Sequence, residues 1–183
     1  MHYCFMSLGQ WENSASLVRL RELGAALLKK GIRVSYLVDD AWSNRDFKEF
    51  PEGSNVEWVI PAAGLKQFGA RRSILRRLKP DYVHVLNPSP KTYLTLRFLV
   101  GQKIVADWDE WSAERTRVKW RRWRDHWIDG WFRKRAVLQA VSSKYMQAAF
   151  QARYGRRPLY LPYATYMQTK AETPSPFTER TAV

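Results

Sequence analysis

The sequence predicts an α/β fold, a doubly wound and mostly parallel sheet of about seven strands with helices on both faces. Three observations carry that prediction. Apolar runs of strand length alternate with stretches of helical period almost from end to end. The first thirty-eight residues already make a complete strand, helix and returning strand. The chain is also of a size, 183 residues with 45% apolar content, that fills one ordinary core rather than two.

Tyr3 to Leu8 is the first apolar strand, and SLGQWENSAS is the loop after it. Leu17, Leu20, Leu23 and Leu27/Leu28 then recur every three to four residues, with Arg19, Arg21, Glu22, Lys29 and Lys30 on the other face. That spacing predicts an amphipathic helix from Leu17 to Lys30. Gly31 supplies the left-handed residue that ends it, and Ile32 to Val38 returns as a second strand. Such a unit opens a parallel sheet, in which ligands sit beyond the carboxyl ends of the strands. DDAWSNRDFKEFPEGSN is polar and turn-rich, and VEWVIP is a short third strand. Between Lys66 and Lys79, Phe68, Ile74, Leu75 and Leu78 have Arg71, Arg72, Arg76 and Arg77 between them, a basic amphipathic helix that Pro80 stops.

Tyr82 to Leu86 is a fourth strand. NPSP opens a helix from Ser89 to Val100, where an early proline is tolerated because that N–H needs no helical partner. Lys103 to Ala106 is a fifth strand running into Asp107, Asp109 and Glu110. One long helix is expected from Glu114 to Arg135, followed by a sixth strand from Ala136 to Ser142. Ser142 or Ser143 caps a helix to Tyr154, Gly155 closes it, and PLYLPYA is a seventh strand. There is no internal repeat. Periodicity is lost from Thr165, so a domain is expected over residues 1–167 and a linker or disordered tail over 168–183.

Charge is the anomaly of the composition. Lys and Arg number 31 against 17 Asp and Glu, a net charge of +14 and a pI near 10.2, which predicts an anionic partner: nucleic acid, acidic lipid or a phosphorylated substrate. Nine tryptophans are the second anomaly. The single cysteine, Cys4, cannot form an internal disulfide and reads as a small core residue in a reducing compartment. The start carries no basic-plus-apolar leader, and the longest charge-free stretches are about a dozen residues, against the roughly 18 to 20 that span a bilayer. The expectation is a protein neither secreted by a standard signal nor membrane-spanning.

The order of elements, the opening SLGQWENSASLVRLRELGAALLKKGIRVSYLV and the closing VLQAVSSKYMQAAFQARYGRRPLYLPYAT together resemble the N-terminal, acceptor-side domain of retaining glycosyltransferases with two Rossmann-like domains, the GT-B type, close to glycosyltransferase family 4. The resemblance covers residues 1–167. It implies a first βα loop with glycine at the interdomain cleft, a strand start of the type KKGIRVSYLV and an exit strand followed by proline, here LYLPYAT. Two departures stand out. The family binds its nucleotide sugar mainly through a second Rossmann domain carrying a pair of spaced glutamates. Glu172 and Glu179, seven apart in a proline-containing tail, do not replace them. Where the family often carries His-Asp at a strand end, KIVADWDEW has Trp108 before Asp109.

The first candidate site is the loop containing Gly9, Gln10, Glu12, Asn13 and Ser14. Without a G-x-G-x-x-G pattern it is not a dinucleotide fingerprint. Its polar residues either line an acceptor cleft or cap the helix that follows. Asn87, just after the fourth strand, is placed to face a ligand, although an Asn-Pro turn also explains it. Asp107, Asp109 and Glu110 are the catalytic candidates: carboxylates crowded at a strand end raise a pKa and suit proton handling or hydroxyl positioning. The plainer reading pairs them with Arg115 and Arg117. No metal site is expected, since no further ligand lies at suitable spacing on a strand end. His84 reads as a sheet residue.

Trp120, Trp123, Trp127 and Trp131 follow at intervals of three, four and four, a single aromatic stripe with Arg121, Arg122 and Arg124 beside it. Either the stripe packs on the sheet, as such stripes more often do, or it rests at headgroup depth while the cations meet anionic lipid. Family members with lipid acceptors dock their N-terminal domain on membranes in this way. Nucleic acid is the rival partner, disfavoured because no RNA- or DNA-binding motif accompanies the basic residues.

The sequence therefore leads to three expectations. The first is the acceptor half of an enzyme moving a sugar from a nucleotide sugar to a lipid-linked or glycan hydroxyl. It has no cofactor of its own, is incomplete without a donor-binding domain in cis or trans, and is located in the cytoplasm at the inner face of a membrane. The second is a membrane-peripheral adaptor or split-enzyme subunit. The third is a basic nucleic-acid-binding domain.

Overall fold

The computed structural model describes residues 1–7, 15–39, 50–59 and 66–162. In chain order the elements are β1 (His2–Ser7), α1 (Ala15–Lys29), β2 (Arg33–Asp39), β3 (Asn55–Val59), α2 (Lys66–Leu78), β4 (Tyr82–Leu86), α3 (Pro90–Leu96), β5 (Lys103–Trp108), α4 (Ser112–Arg115), α5 (Lys119–Arg135), β6 (Ala136–Val141), α6 (Lys144–Tyr154) and β7 (Leu159–Tyr160). The strands form one sheet in the order β3-β2-β1-β4-β5-β6-β7, and every neighbouring pair is parallel. This is the doubly wound α/β architecture that the alternating pattern predicts.

Strands covered on both faces read as continuous apolar runs, and these do. Cys4, Met6, Leu37, Val83, Val85 and Ala106 face one side, where Leu75 of α2, Leu96 of α3, Phe132 of α5 and Phe150 of α6 close over them. Phe5, Val34, Tyr36, Val38 and Leu86 belong to the other side, under Leu20 of α1. Cys4 is a buried core residue, and burial pushes its thiol up to about 12, so it stays protonated.

Helix ends follow local chemistry. Ser89 and Thr92 form a reciprocal capping box at the start of α3, with proline in the first turn. Ser143 caps α6 by accepting from the Met146 N–H, and Gly155, at φ 72°, ends it. Gly24 lets α1 sit directly on β2: a Cβ there would lie 1.8 Å from the Tyr36 hydroxyl oxygen, whose ring is stacked on Phe5. Gly24→Ala is expected to destabilise the fold by roughly 1–3 kcal/mol despite alanine's better helix propensity. Urea denaturation checks this, and a gain in stability would contradict it.

The structure corrects several expectations. The single helix from Glu114 to Arg135 is two, α4 and α5, separated at 116–118. The Thr116 carbonyl, which an unbroken helix would give to residue 120, instead accepts from the Arg122 guanidinium at 3.1 and 3.2 Å. The third helix stops at Leu96 rather than Val100, turning so that Leu99 is buried while Phe98 and Val100 are exposed. The last strand holds only two residues, since Pro162 has no N–H to extend an edge pairing. Arg19 and Arg71, read as solvent-facing, are both buried. Residues 163–183, including the expected linker, lie outside the described residues. Among the described residues, no helix is long and apolar enough to cross a membrane.

Candidate functional site

The strand order reverses between β1 and β4, because β2 and β3 build outward on one side and β5 to β7 on the other. The carboxyl ends of the strands at that reversal form the crevice where open α/β sheets bind ligands. Ser7 ends β1, Asp39 ends β2, Asn87 follows β4, Asp107 and Trp108 end β5, and Ser142 follows β6. The Ser7 hydroxyl is buried and has no hydrogen-bond partner among the described residues.

Two buried ion pairs brace the crevice, one on each face of the sheet. On the α1 face, Arg19 donates to Asp107 Oδ1 at 2.9 Å, tying the helix after β1 to a strand beyond β4. Asp107 Oδ2 lies 3.1 Å from His84 Nε2, and His84 Nδ1 lies 3.1 Å from the Tyr3 hydroxyl. With Nε2–H donated to Asp107, Nδ1 is left to accept from Tyr3. Burial, and then the Asp107 carboxylate, push the Tyr3 hydroxyl up, so it stays a neutral donor. On the opposite face, Arg71 of α2 donates to Asp39 Oδ1 at 2.5 Å and to Gln67 at 3.1 Å. Lys91 of α3, half exposed, lies 3.8 Å from Asp39 Oδ2, again joining elements from the two sides of the reversal.

The segment leaving β5 is clamped in place. Asn87 sits in the left-handed region at φ 49°, a conformation asparagine tolerates better than most residues. Its side-chain oxygen accepts from the Asp109 and Glu110 N–H groups at 2.8 and 3.0 Å. The Ser142 hydroxyl donates to the Asp109 carbonyl at 3.0 Å. Beneath the segment, the buried Asp129 carboxylate accepts from the indole N–H groups of Trp108 at 2.9 Å and Trp111 at 3.1 Å. Burial pushes the Asp129 carboxyl up to about 6, against the pull of those two donors. The result is a rigid edge that presents Asp109, half buried, and Glu110, exposed.

No protein-family model matches the sequence, and no curated protein matches it either. Solved structures do match. UDP-GlcNAc 2-epimerase from Methanocaldococcus jannaschii aligns with a TM-score of 0.59 at 12% identity, over 88% of this chain and 45% of that one. The Neisseria meningitidis UDP-GlcNAc 2-epimerase, solved bound to UDP-GlcNAc, gives 0.60 at 13% identity, over 87% and 46%. Acinetobacter baumannii MurG gives 0.52 at 14% identity, over 77% and 41%. The fold is Rossmann-like and matches GT-B structures. This chain spans less than half the length of each of the three.

Within this GT-B-like frame the expected site residues separate. Gly9, Gln10, Glu12, Asn13 and Ser14 lie outside the described residues. Asp107, Asp109 and Glu110 do not form one exposed cluster: Asp107 is sealed in, and its partners are Arg19 and His84 rather than Arg115 or Arg117. His84 is a sheet residue, but a bonded one. The Asn87 side-chain oxygen is engaged in holding the 109–110 backbone. Trp108 points into the core, 5.1 Å from Phe150 between ring centres. Among the described residues, no three His, Cys, Asp or Glu side chains gather as a metal-ligand group.

The tryptophan stripe also divides. Trp131 is half buried, its ring edge-on to Tyr93, so it belongs to the core side. Trp120, Trp123 and Trp127 are exposed by 60%, 72% and 50%, and the buried face of α5 is instead Ile128, Asp129 and Phe132. Arg121 and Arg122 are exposed, and Arg124 is half buried against Asp125 at 2.7 Å.

Proposed function

We propose that this chain is the N-terminal, acceptor-side half of a retaining GT-B glycosyltransferase of glycan biosynthesis, which passes a sugar from a nucleotide sugar to a lipid-linked or glycan hydroxyl. It does so only when a donor-binding Rossmann domain completes it, in cis or in trans. The observation that carries this reading is the crevice: one Rossmann-like unit, braced by buried ion pairs across its strand-order reversal, holds Asp109 and Glu110 rigidly at its carboxyl edge. The similar epimerase structures, one of them solved bound to UDP-GlcNAc, support a nucleotide sugar as the donor.

Glycosyl transfer needs the acceptor hydroxyl held in line with the anomeric carbon and the leaving diphosphate stabilised. In this reading Asp109 and Glu110, with the loop of Gly9, Gln10, Glu12, Asn13 and Ser14, orient the hydroxyl. Asp107 acts as a positioning residue through Arg19 and His84, and the diphosphate is met mainly by the other domain. The reading places the protein in the cytoplasm, peripheral on the inner face of a membrane.

The test is substitution in the completed enzyme. Gly9→Ala, Asn13→Ala or Asp109→Ala should each slow transfer by about 10- to 100-fold while circular dichroism and the melting temperature stay unchanged. Full transfer activity after all three changes would remove this edge from the site.

A further inference from the structure

We propose that the opening turns of α5 form a bilayer-binding element that seats the carboxyl edge of the sheet against an anionic membrane. Residues 117–124, RVKWRRWR, hold five cations, two tryptophans, one valine and no carboxylate. All of 117–123 is exposed, so this part of the helix stands clear of the core, which α5 meets only from residue 124 onward. Trp120, Trp123 and Trp127 share one stripe on the side away from Ile128, Asp129 and Phe132. The break at 116–118, held by Arg122 on the Thr116 carbonyl, sets the helix off as a separate projection. Because α5 follows the carboxyl end of β5, its exposed start lies at the same edge as Asp109 and Glu110.

Arg124 is paired with Asp125, but Arg117, Lys119, Arg121 and Arg122 stand exposed beside the three indoles. This arrangement suits a headgroup layer, where the rings rest between hydrocarbon and water and the cations meet lipid phosphates. A single-stranded nucleic acid would need open ring faces for stacking. The Trp120 ring already has the Arg124 and Arg121 guanidinium groups 5.3 and 5.5 Å from its centre, and Trp127 packs at a steep angle on Tyr93. That leaves Trp123 as a single platform rather than the run of platforms that successive bases stack on. The proposal rests on the acceptor-side reading only for its consequence, that the acceptor is an amphiphile whose hydroxyl is presented at the bilayer surface.

Sedimentation of the full chain with phosphatidylcholine vesicles, with and without phosphatidylglycerol, tests it. Binding should require the anionic lipid and weaken with salt. Trp120→Ala combined with Trp123→Ala should reduce it by about tenfold or more without moving the melting temperature. Lys119→Gln combined with Arg121→Gln should flatten the salt dependence. Failure to bind anionic vesicles, or binding untouched by the tryptophan changes, overturns the proposal. So does oligothymidine binding, or concentration-dependent self-association, that the tryptophan changes abolish while vesicles are ignored. The assay involves no sugar transfer, so the two readings fail separately: vesicle binding without transfer by the completed protein retires the transferase, and transfer to a water-soluble acceptor without vesicle binding retires this element.

Discussion

Asp107→Ala is expected to cost about 3–5 kcal/mol of folding stability, the cost of removing one member of a buried ion pair. The carboxylate is fully buried and bonded on one oxygen to Arg19 and on the other to His84, so the change leaves a guanidinium and an imidazole inside the α1 face without the group that both address. For a chain of this length the loss corresponds to a fall in melting temperature of roughly 10 °C. Combining Asp107→Leu with Arg19→Met should recover more than half of it, since a well-packed apolar pair removes both desolvated charges together. Amides of α1 should exchange faster in the single variant than those of α6, because Arg19 is the strap holding α1 to the far side of the crevice. A single variant within 1 kcal/mol of the parent would mean that the pair does not brace the fold.

The second large effect is a pH dependence set by Asp129. Its folded-state pKa, about 6, lies above the ordinary carboxylate value of 3.8. The fold therefore favours the protonated form. The stability this contributes is fully present below about pH 4 and is lost as pH rises through about 6, a change of about 3 kcal/mol. Asp129→Asn keeps an acceptor for an indole N–H and cannot ionise. Urea denaturation of both proteins between pH 4 and 7 should show the parent losing that amount relative to the variant. Parallel curves would place Asp129 in an environment that accepts its charge freely.

The order of strands and helices is legible in the sequence because each element carries its own period: Leu20, Leu23 and Leu27 mark the apolar face of α1 without reference to anything distant. The break before α5 is not legible, since Thr116 and Val118 are not helix breakers and the carbonyl released there is satisfied by a side chain reaching back from Arg122. Arg71 could have been found. It lies three residues after Phe68 and four before Leu75, inside the buried stripe of α2, where a cation demands a buried acid. Asp129 carries the same signal between Ile128 and Phe132. Arg19 carries less, because its partner is 88 residues away and no spacing rule joins them.

Closeness in sequence also misleads at a strand end. Asp107 still belongs to β5 and turns inward to Arg19 and His84, whereas the strand ends at Trp108 and Asn87 holds the backbone of Asp109 and Glu110 beyond it, so three neighbouring carboxylates do not make a cluster. For the tryptophans, helical spacing defines a stripe but not which way it points. The direction comes from Ile128 and Phe132, which take the inner face, with Asp129 drawn in by two indole donors.

Release of nucleoside diphosphate from a nucleotide sugar, followed for this chain alone and for the chain joined to a donor-binding Rossmann domain, tests the half-enzyme account most directly. UDP-linked sugars are the first donors to try, with a lipid-linked and a soluble glycan acceptor in parallel. The account predicts no turnover above buffer for the chain alone, acceptor-dependent turnover for the joined protein, and a fall of about 10- to 100-fold when Asp109 is replaced by alanine. Turnover by the chain alone at the rate of the joined protein, or a joined protein indifferent to Asp109 and to the loop of Gly9 and Asn13, would contradict it.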